Sequence, residues 1–178
     1  MIIWRSEDDL PCAALFLNHL RITCDMTAEP LPPFNILADS YDATFTETAV
    51  GRLQRARVWE TLQRLFQQGD GTHLLPKGLT VLELNCGTGE DACWLAKQGF
   101  RVIATDVSPE MIAVLQKKVK KNDLGHLVEG MLLDLNALSE SIPLHAVLKK
   151  AAHPFIFSNF GGLNCLSPAD LLRCGKSI

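Results

Sequence analysis

Acids and amides in this sequence collect where apolar runs end. Glu83 and Asn85 follow "LTVL", Asp106 closes "FRVIATD", Asp134 closes "LVEGMLLD", and Ser158 and Asn159 close "PFIFSN". Between the first two runs lies "NCGTGEDA", whose Gly87 and Gly89 let a backbone approach a ligand closely and whose Asn85 tolerates a left-handed turn. "GTGEDA" fits GxGxxA, a dinucleotide fingerprint, which makes NAD or FAD the first candidates. Glu90 and Asp91 oppose them, because in the first turn of the next helix they would repel phosphates. A ligand with a positive end and no phosphate, such as S-adenosylmethionine with its ammonium and sulfonium, is complemented by these acids. Asp106 is placed to accept hydrogen bonds from both hydroxyls of a ribose, which suits NAD equally.

The elements that must position these residues follow from periodicity. "LTVLEL", "FRVIATD", "LVEGMLLD" and "PFIFSN" are short apolar runs of strand length. "DACWLAKQG" is helical up to Gly99, and "SPEMIAVLQKKVKKND" is a helix with Ser108 as N-cap and Pro109 in its first position. Lys117, Lys118, Lys120 and Lys121 crowd the C-terminal end of that helix, a structural placement favoured by the helix dipole. "ALSESIPLHAVLKKA" reads as a further helix, and 46–68 as an amphipathic one stopped by Gly69. In the latter, Leu53, Val58, Leu62, Leu65 and Phe66 form the apolar stripe, and Arg52, Arg55, Arg57 and Arg64 are expected on its solvated face. Strands alternating with helices imply an α/β fold with a Rossmann-like parallel sheet, helices on both faces and ligands at the carboxyl ends of the strands.

The bulk numbers bound the function. At 178 residues the chain is one domain's worth, and 47% apolar with 21% charged residues describes a folded protein. A formal net charge of −3 argues against a nucleic-acid surface. The cysteines at 12, 24, 86, 93, 165 and 174 form no CxxC pair and no zinc-ligand grouping, so we expect buried free thiols, no metal and a cytoplasmic location. The N-terminal residues carry acids where a signal peptide needs bases, and no run reaches membrane-span length. Residues 1–33 end in "EPLPPF" and are expected to be an irregular or disordered extension, with Met26 an alternative start, ahead of a ligand-binding domain over 34–178.

"VLELNCGTGEDACWLAKQGFRVIATDVSPEMIAVL" resembles motif I and the acidic motif of class I S-adenosylmethionine-dependent methyltransferases. "FNILADSYDATFTETAVGRLQRARVWETL" is similar to the N-terminal helices of a bacterial small-molecule methyltransferase group, and "FSNFGGLNCL" to its fourth-strand motif. The resemblance implies that Glu83 orients the methionine end, that Asn85, Gly87 and Gly89 form the cofactor loop, and that Asp106 binds the ribose. It further implies Met111 near the adenine, Asp134 and the Leu135 backbone at the adenine edge, Ser158 and Asn159 near the amino-acid end, and Tyr41 in a lid. The departures are Asn85, where the family most often has glycine, and Pro154, where it has aspartate.

The resemblance also implies a fifth strand, a helix and a closing hairpin after "SNFGGLNCLSPADLL", whereas the sequence reads on only to "RCGKSI". We therefore expect a C-terminally truncated sheet with an exposed parallel edge, which an oligomer or a partner chain would cover. The expected function is methyl transfer from S-adenosylmethionine to a small molecule, with no nucleic-acid or membrane partner. The alternatives are an inactive cofactor-binding remnant, a partner-dependent subunit, or a nucleotide-dependent oxidoreductase. No catalytic base is assigned, since His145 and His153 qualify by residue type alone.

Overall fold

A computed structural model describes residues 2–5, 34–67, 79–136 and 154–177, with the single positions 146 and 149. It contains β1 (Ile2–Arg5), α1 (Phe34–Tyr41), a π-helical turn (Asp42–Thr46), α2 (Ala49–Gln67), β2 (Thr80–Leu84) and α3 (Glu90–Lys97). These are followed by β3 (Arg101–Asp106), α4 (Pro109–Lys121), β4 (Val128–Leu132), β5 (Phe155–Ser158), a 3-10 turn (Gly162–Cys165) and α5 (Pro168–Ser177). The strands form one sheet in the order β1-β5-β2-β3-β4, with β5, β2, β3 and β4 parallel and β1 antiparallel.

Alternation along the strands divides the core in two. Val81, Val102, Ala104, Phe155 and Phe157 face one side and pack with Leu62 of α2, Leu95 of α3 and Leu115 of α4. Leu82, Leu84, Ile103 and Ile156 face the other, against Leu133, Leu135, Leu163 and Cys174. Strands buried on both faces therefore read as continuous apolar runs, and each fully buried Leu, Val or Ile contributes about 1.5–3 kcal/mol. The ladder sets Glu83 level with Ala104 and Phe157, and Leu84 level with Thr105 and Ser158. It thereby gathers the polar strand ends on one rim.

Ser108 caps α4, its Oγ accepting from the Met111 N–H at 3.2 Å, with Pro109 next in line. α2 begins at Ala49 rather than at Thr46, because Thr48 Oγ1 accepts from the Gly51 N–H at 3.0 Å and so acts as the cap. Two expectations are corrected at the N-terminus. Ile2–Arg5 are strand rather than irregular, pairing from Ile2 opposite Ser158 to Arg5 opposite Phe155. The β-branched and aromatic run "IIW" suits a strand, and the outer side of β5 offers unpaired peptide groups. The edge of β5 is accordingly covered by this chain's own β1 instead of standing bare. Residues 6–33, Gly69 and the expected helix "ALSESIPLHAVLKKA" lie outside the described residues, positions 146 and 149 of that helix apart.

Candidate functional site

The rim holds most of the polar residues singled out by sequence. Glu83 sits one residue before the end of β2, only 2% exposed, while Asp106 ends β3 and Ser158 ends β5. Asn85 follows β2 with φ 56°, in the left-handed region that its short amide side chain tolerates. Gly89, at φ 76°, closes the loop onto α4, where an added Cβ would fall 2.0 Å from Leu115 Cδ1. A side chain there would be strained and would have to displace Leu115.

Asp106 organises the loop. Its Oδ2 accepts from the Gly87 N–H at 2.8 Å and its Oδ1 from the Ser108 N–H at 3.0 Å, which ties the glycine turn to the cap of α4. Each carboxylate oxygen keeps a further acceptor direction for a ligand. Glu83 Oε2 and Asn85 Nδ2 are buried and have no hydrogen-bond partner among the described residues. A Cβ on Gly87 would meet nothing within 4 Å. Asn85 Nδ2 lies against Gly162, where an added Cβ would fall 2.5 Å from it, so the unspent donor and acceptor capacity is buried around the glycine loop.

Burial pushes the Glu83 carboxyl well above the usual carboxylate range; Asp91 and Asp106 push the same way and Arg55 opposes them. Burial likewise raises the Cys86 thiol strongly, and raises Cys93 to about 11, so neither is a nucleophile at neutral pH. Among the described residues Cys86, Cys93 and Cys174 are buried and Cys165 is exposed, all four free, and no His, Cys, Asp and Glu group could hold a metal.

The structure differs from expectation over the charges flanking the loop. Asp91 is 3% exposed, and its Oδ1 accepts from Arg55 Nε at 3.1 Å and Trp59 Nε1 at 2.7 Å, its Oδ2 from Asn159 Nδ2 at 3.0 Å. Glu90 pairs with Lys118 at 3.0 Å, and Lys118 also pairs with Asp42 at 2.7 Å. Both acids are answered inside the protein, so the charge available to a ligand comes from Glu83 and Asp106. Arg55 is correspondingly buried, although the four arginines of α2 were expected in solvent; Arg57 and Arg64 do lie outside, pairing with Glu60. A signal was present: Arg55, Val58, Trp59, Leu62, Leu65 and Phe66 share one helical stripe, while Leu53, assigned to it, is 69% exposed.

The N-terminal helices form a wall over this rim. Tyr41 packs on Phe45, Phe45 packs edge-on against Phe160, and the Arg55 guanidinium lies 4.6 Å above the Phe160 ring. Burial raises the Tyr41 hydroxyl, with Arg55 opposing the rise and Asp106, Asp42 and Asp91 adding to it. Asp42 Oδ1 accepts from Thr88 Oγ1 at 2.7 Å, so the turn after Tyr41 is fastened to the glycine loop. Burial works to raise Asp42, and the bonds from Lys118 and Thr88 outweigh it, holding the carboxyl below its usual range. Arg55 Nη1 is buried without a partner among the described residues and is a further candidate for holding an anionic group.

The remaining positions are distributed around the rim. Met111 is buried just inside α4. Asp134 is exposed beyond β4 and accepts from the Asn136 N–H at 2.9 Å, while the Leu135 side chain is buried in the second core. Ser158 is buried, and Asn159 is spent on Asp91 and on the Phe160 N–H. Position 154 has Pro ahead of β5, where a strand start tolerates it. His145 and His153 lie outside the described residues.

A family model described as a methyltransferase domain matches residues 81–174. The chain is similar to the cypemycin N-terminal methyltransferase of a Streptomyces species, 45% identical over 155 residues, which span 75% of this chain and 60% of that protein. It is also similar to the tRNA 5-carboxymethoxyuridine methyltransferase of Escherichia coli K12, 28% identical over 128 residues, covering 68% of this chain and 47% of that one. The chain thus spans roughly half of the length of these curated relatives. Among solved structures, a candidate S-adenosyl-L-methionine-dependent methyltransferase from Methanococcus maripaludis superposes with a TM-score of 0.58 at 18% identity, covering 85% of this chain and 62% of that one. At that identity the likeness speaks for the fold.

Proposed function

The chain belongs to the methyltransferase-domain family, class I and dependent on S-adenosylmethionine, and we propose that it passes the cofactor's methyl group to a small-molecule acceptor. The observation that carries this reading is the buried, unspent polarity of Glu83 Oε2 and Asn85 Nδ2 at the end of β2, leading into a glycine loop that the Asp106 carboxylate holds through the Gly87 N–H. When bound, S-adenosylmethionine supplies a methyl group activated by its positive sulfur, so no covalent protein nucleophile is required. What the protein contributes is position and exclusion of water.

In this proposal Asp106 receives the ribose hydroxyls while keeping Gly87 and Ser108 in place. Glu83, Asn85 and Ser158 receive the amino-acid end, with Asn159 acting through Asp91. Arg55 Nη1, buried without a partner among the described residues, would answer the cofactor's own carboxylate. Met111, Asp134 and the Leu135 backbone would border the adenine, and Tyr41, packed on Phe45, which in turn packs on Phe160, would lie in the lid over the cofactor. Glu90 and Asp91 hold the N-terminal helices to the loop.

A small acceptor is favoured over a nucleic acid by the net charge of −3 and by the engagement of Lys118 with two acids. The two relatives carry names that refer to a peptide terminus and to a tRNA, so the acceptor class has a direct test. Purified protein is incubated with methyl-labelled S-adenosylmethionine and separate small-molecule and tRNA fractions. Label in the small-molecule fraction is the expected result, and label confined to tRNA contradicts the acceptor class. Cofactor binding with no label in either fraction identifies a non-transferring or partner-dependent binder. Among the described residues no helix is long and apolar enough to cross a membrane.

A further inference from the structure

We propose that Glu83 carries a proton in the ligand-free protein and releases it to solvent when the cationic amino-acid end of S-adenosylmethionine binds, which makes Glu83 a determinant of specificity for a positively charged ligand. The proposal rests on the cofactor reading above and extends it to the energetics of the same site.

The geometry leaves Glu83 without a counter-charge of its own. Its side chain is on the inner face of β2, 2% exposed, level with Phe157 of β5 and Ala104 of β3. Among the described residues, the titratable groups coupled electrostatically to it are Arg55 from α2, Asp91 and Cys93 from α3, Cys86 from the glycine loop and Asp106 from β3. β5 presents no charge there. Arg55 is the one cation among them, and its Nε is already committed to Asp91 at 3.1 Å. Glu83 Oε2 has no hydrogen-bond partner among the described residues. A carboxylate buried beside two other acids, with its nearest cation shared, is more stable protonated. Burial, the largest influence on this group, acts in the same sense.

A ligand cation set against Glu83 reverses the balance. The O–H bond of the carboxyl breaks, the proton passes to bulk water or buffer, and the carboxylate left behind pairs with the ligand's ammonium. Binding and deprotonation are then linked, so affinity must rise with pH between the free and bound titration points of the group.

The test is calorimetric titration with S-adenosylmethionine in two buffers of different ionisation enthalpy at pH 6.5, where an α-amino group is still protonated. Protons should be released on binding, up to one per ligand, and affinity should rise with pH by at most about tenfold per pH unit. Methylthioadenosine, which lacks the amino-acid end, should bind without release, and Glu83→Gln should bind S-adenosylmethionine with neither release nor pH dependence. Tight binding by the wild type without proton release overturns the proposal, as does equal release by Glu83→Gln. If the variant does not fold, the wild-type pH profile and the methylthioadenosine comparison decide alone. Failure of the wild type to bind S-adenosylmethionine at any pH overturns the cofactor reading itself, and this proposal with it.

Discussion

Glu83 should leave a mark on stability as well as on binding. Its folded carboxyl titrates well above the ordinary value of 4.5, so between those two points the native state holds a proton that the unfolded chain has lost. Stability is therefore full below about pH 4.5 and declines as pH rises toward the folded titration point, by up to about 1.4 kcal/mol per pH unit. Asp42, held below its usual range, contributes in the opposite sense and only in acid, where its stabilisation is lost as pH falls through the folded value. Urea unfolding of the ligand-free protein from pH 5 to pH 8 should show the decline, flattened in Glu83→Gln; an identical slope in both proteins contradicts the assignment. The placement of Glu83 and Asp106 at the ends of β2 and β3 was legible from sequence because each closes an apolar run of strand length. Arg55 was not, because its partner Asp91 lies 36 residues away and charge pattern alone places an arginine in solvent. Its position on the apolar stripe of α2 was the available clue.

At the scale of elements, two polar joints fasten the N-terminal helices to the glycine loop. Lys118 of α4 joins Asp42 of the π-helical turn to Glu90 of α3, with its side chain 19% exposed. Lys118→Met should cost about 1–2 kcal/mol after allowance for solvent screening and should speed amide exchange in α1 and the turn ahead of the rest of the chain. Unchanged exchange there would show that packing alone holds these helices. The deeper joint is Arg55 with Asp91. Arg55→Met leaves Asp91 buried with two donors, Trp59 and Asn159, and should lower stability by about 3 kcal/mol in denaturant unfolding. A loss below about 1 kcal/mol would contradict a buried, charge-compensated role. Strands and helices of the central sheet could be read from the sequence because periodicity of two and of 3.6 are distinct over runs of this length. The π-helical turn could not, since Gly51 permits it only through close approach to the Phe45 carbonyl, where a Cβ would fall 2.0 Å away.

For the whole molecule, the sheet is finished on one side by a segment that sequence pattern assigned to an irregular extension. β1 satisfies the outer edge of β5, and a four-residue strand followed by a proline-rich stretch offers little periodicity by which to recognise it. Deleting residues 1–5 should expose that edge, lower the midpoint of thermal unfolding and increase self-association in sedimentation; unchanged behaviour in both assays would mean that β1 contributes nothing to the sheet's stability. The central claim is that four parallel strands bring Glu83, Asn85 and Asp106 together as a site for S-adenosylmethionine. Calorimetric titration of the wild type and of Asp106→Ala with S-adenosylmethionine, S-adenosylhomocysteine and NAD tests it most directly. The account predicts binding of the first two ligands, none of NAD, and at least about tenfold weaker binding by Asp106→Ala, which loses a charged acceptor. NAD binding in the absence of the other two would contradict it.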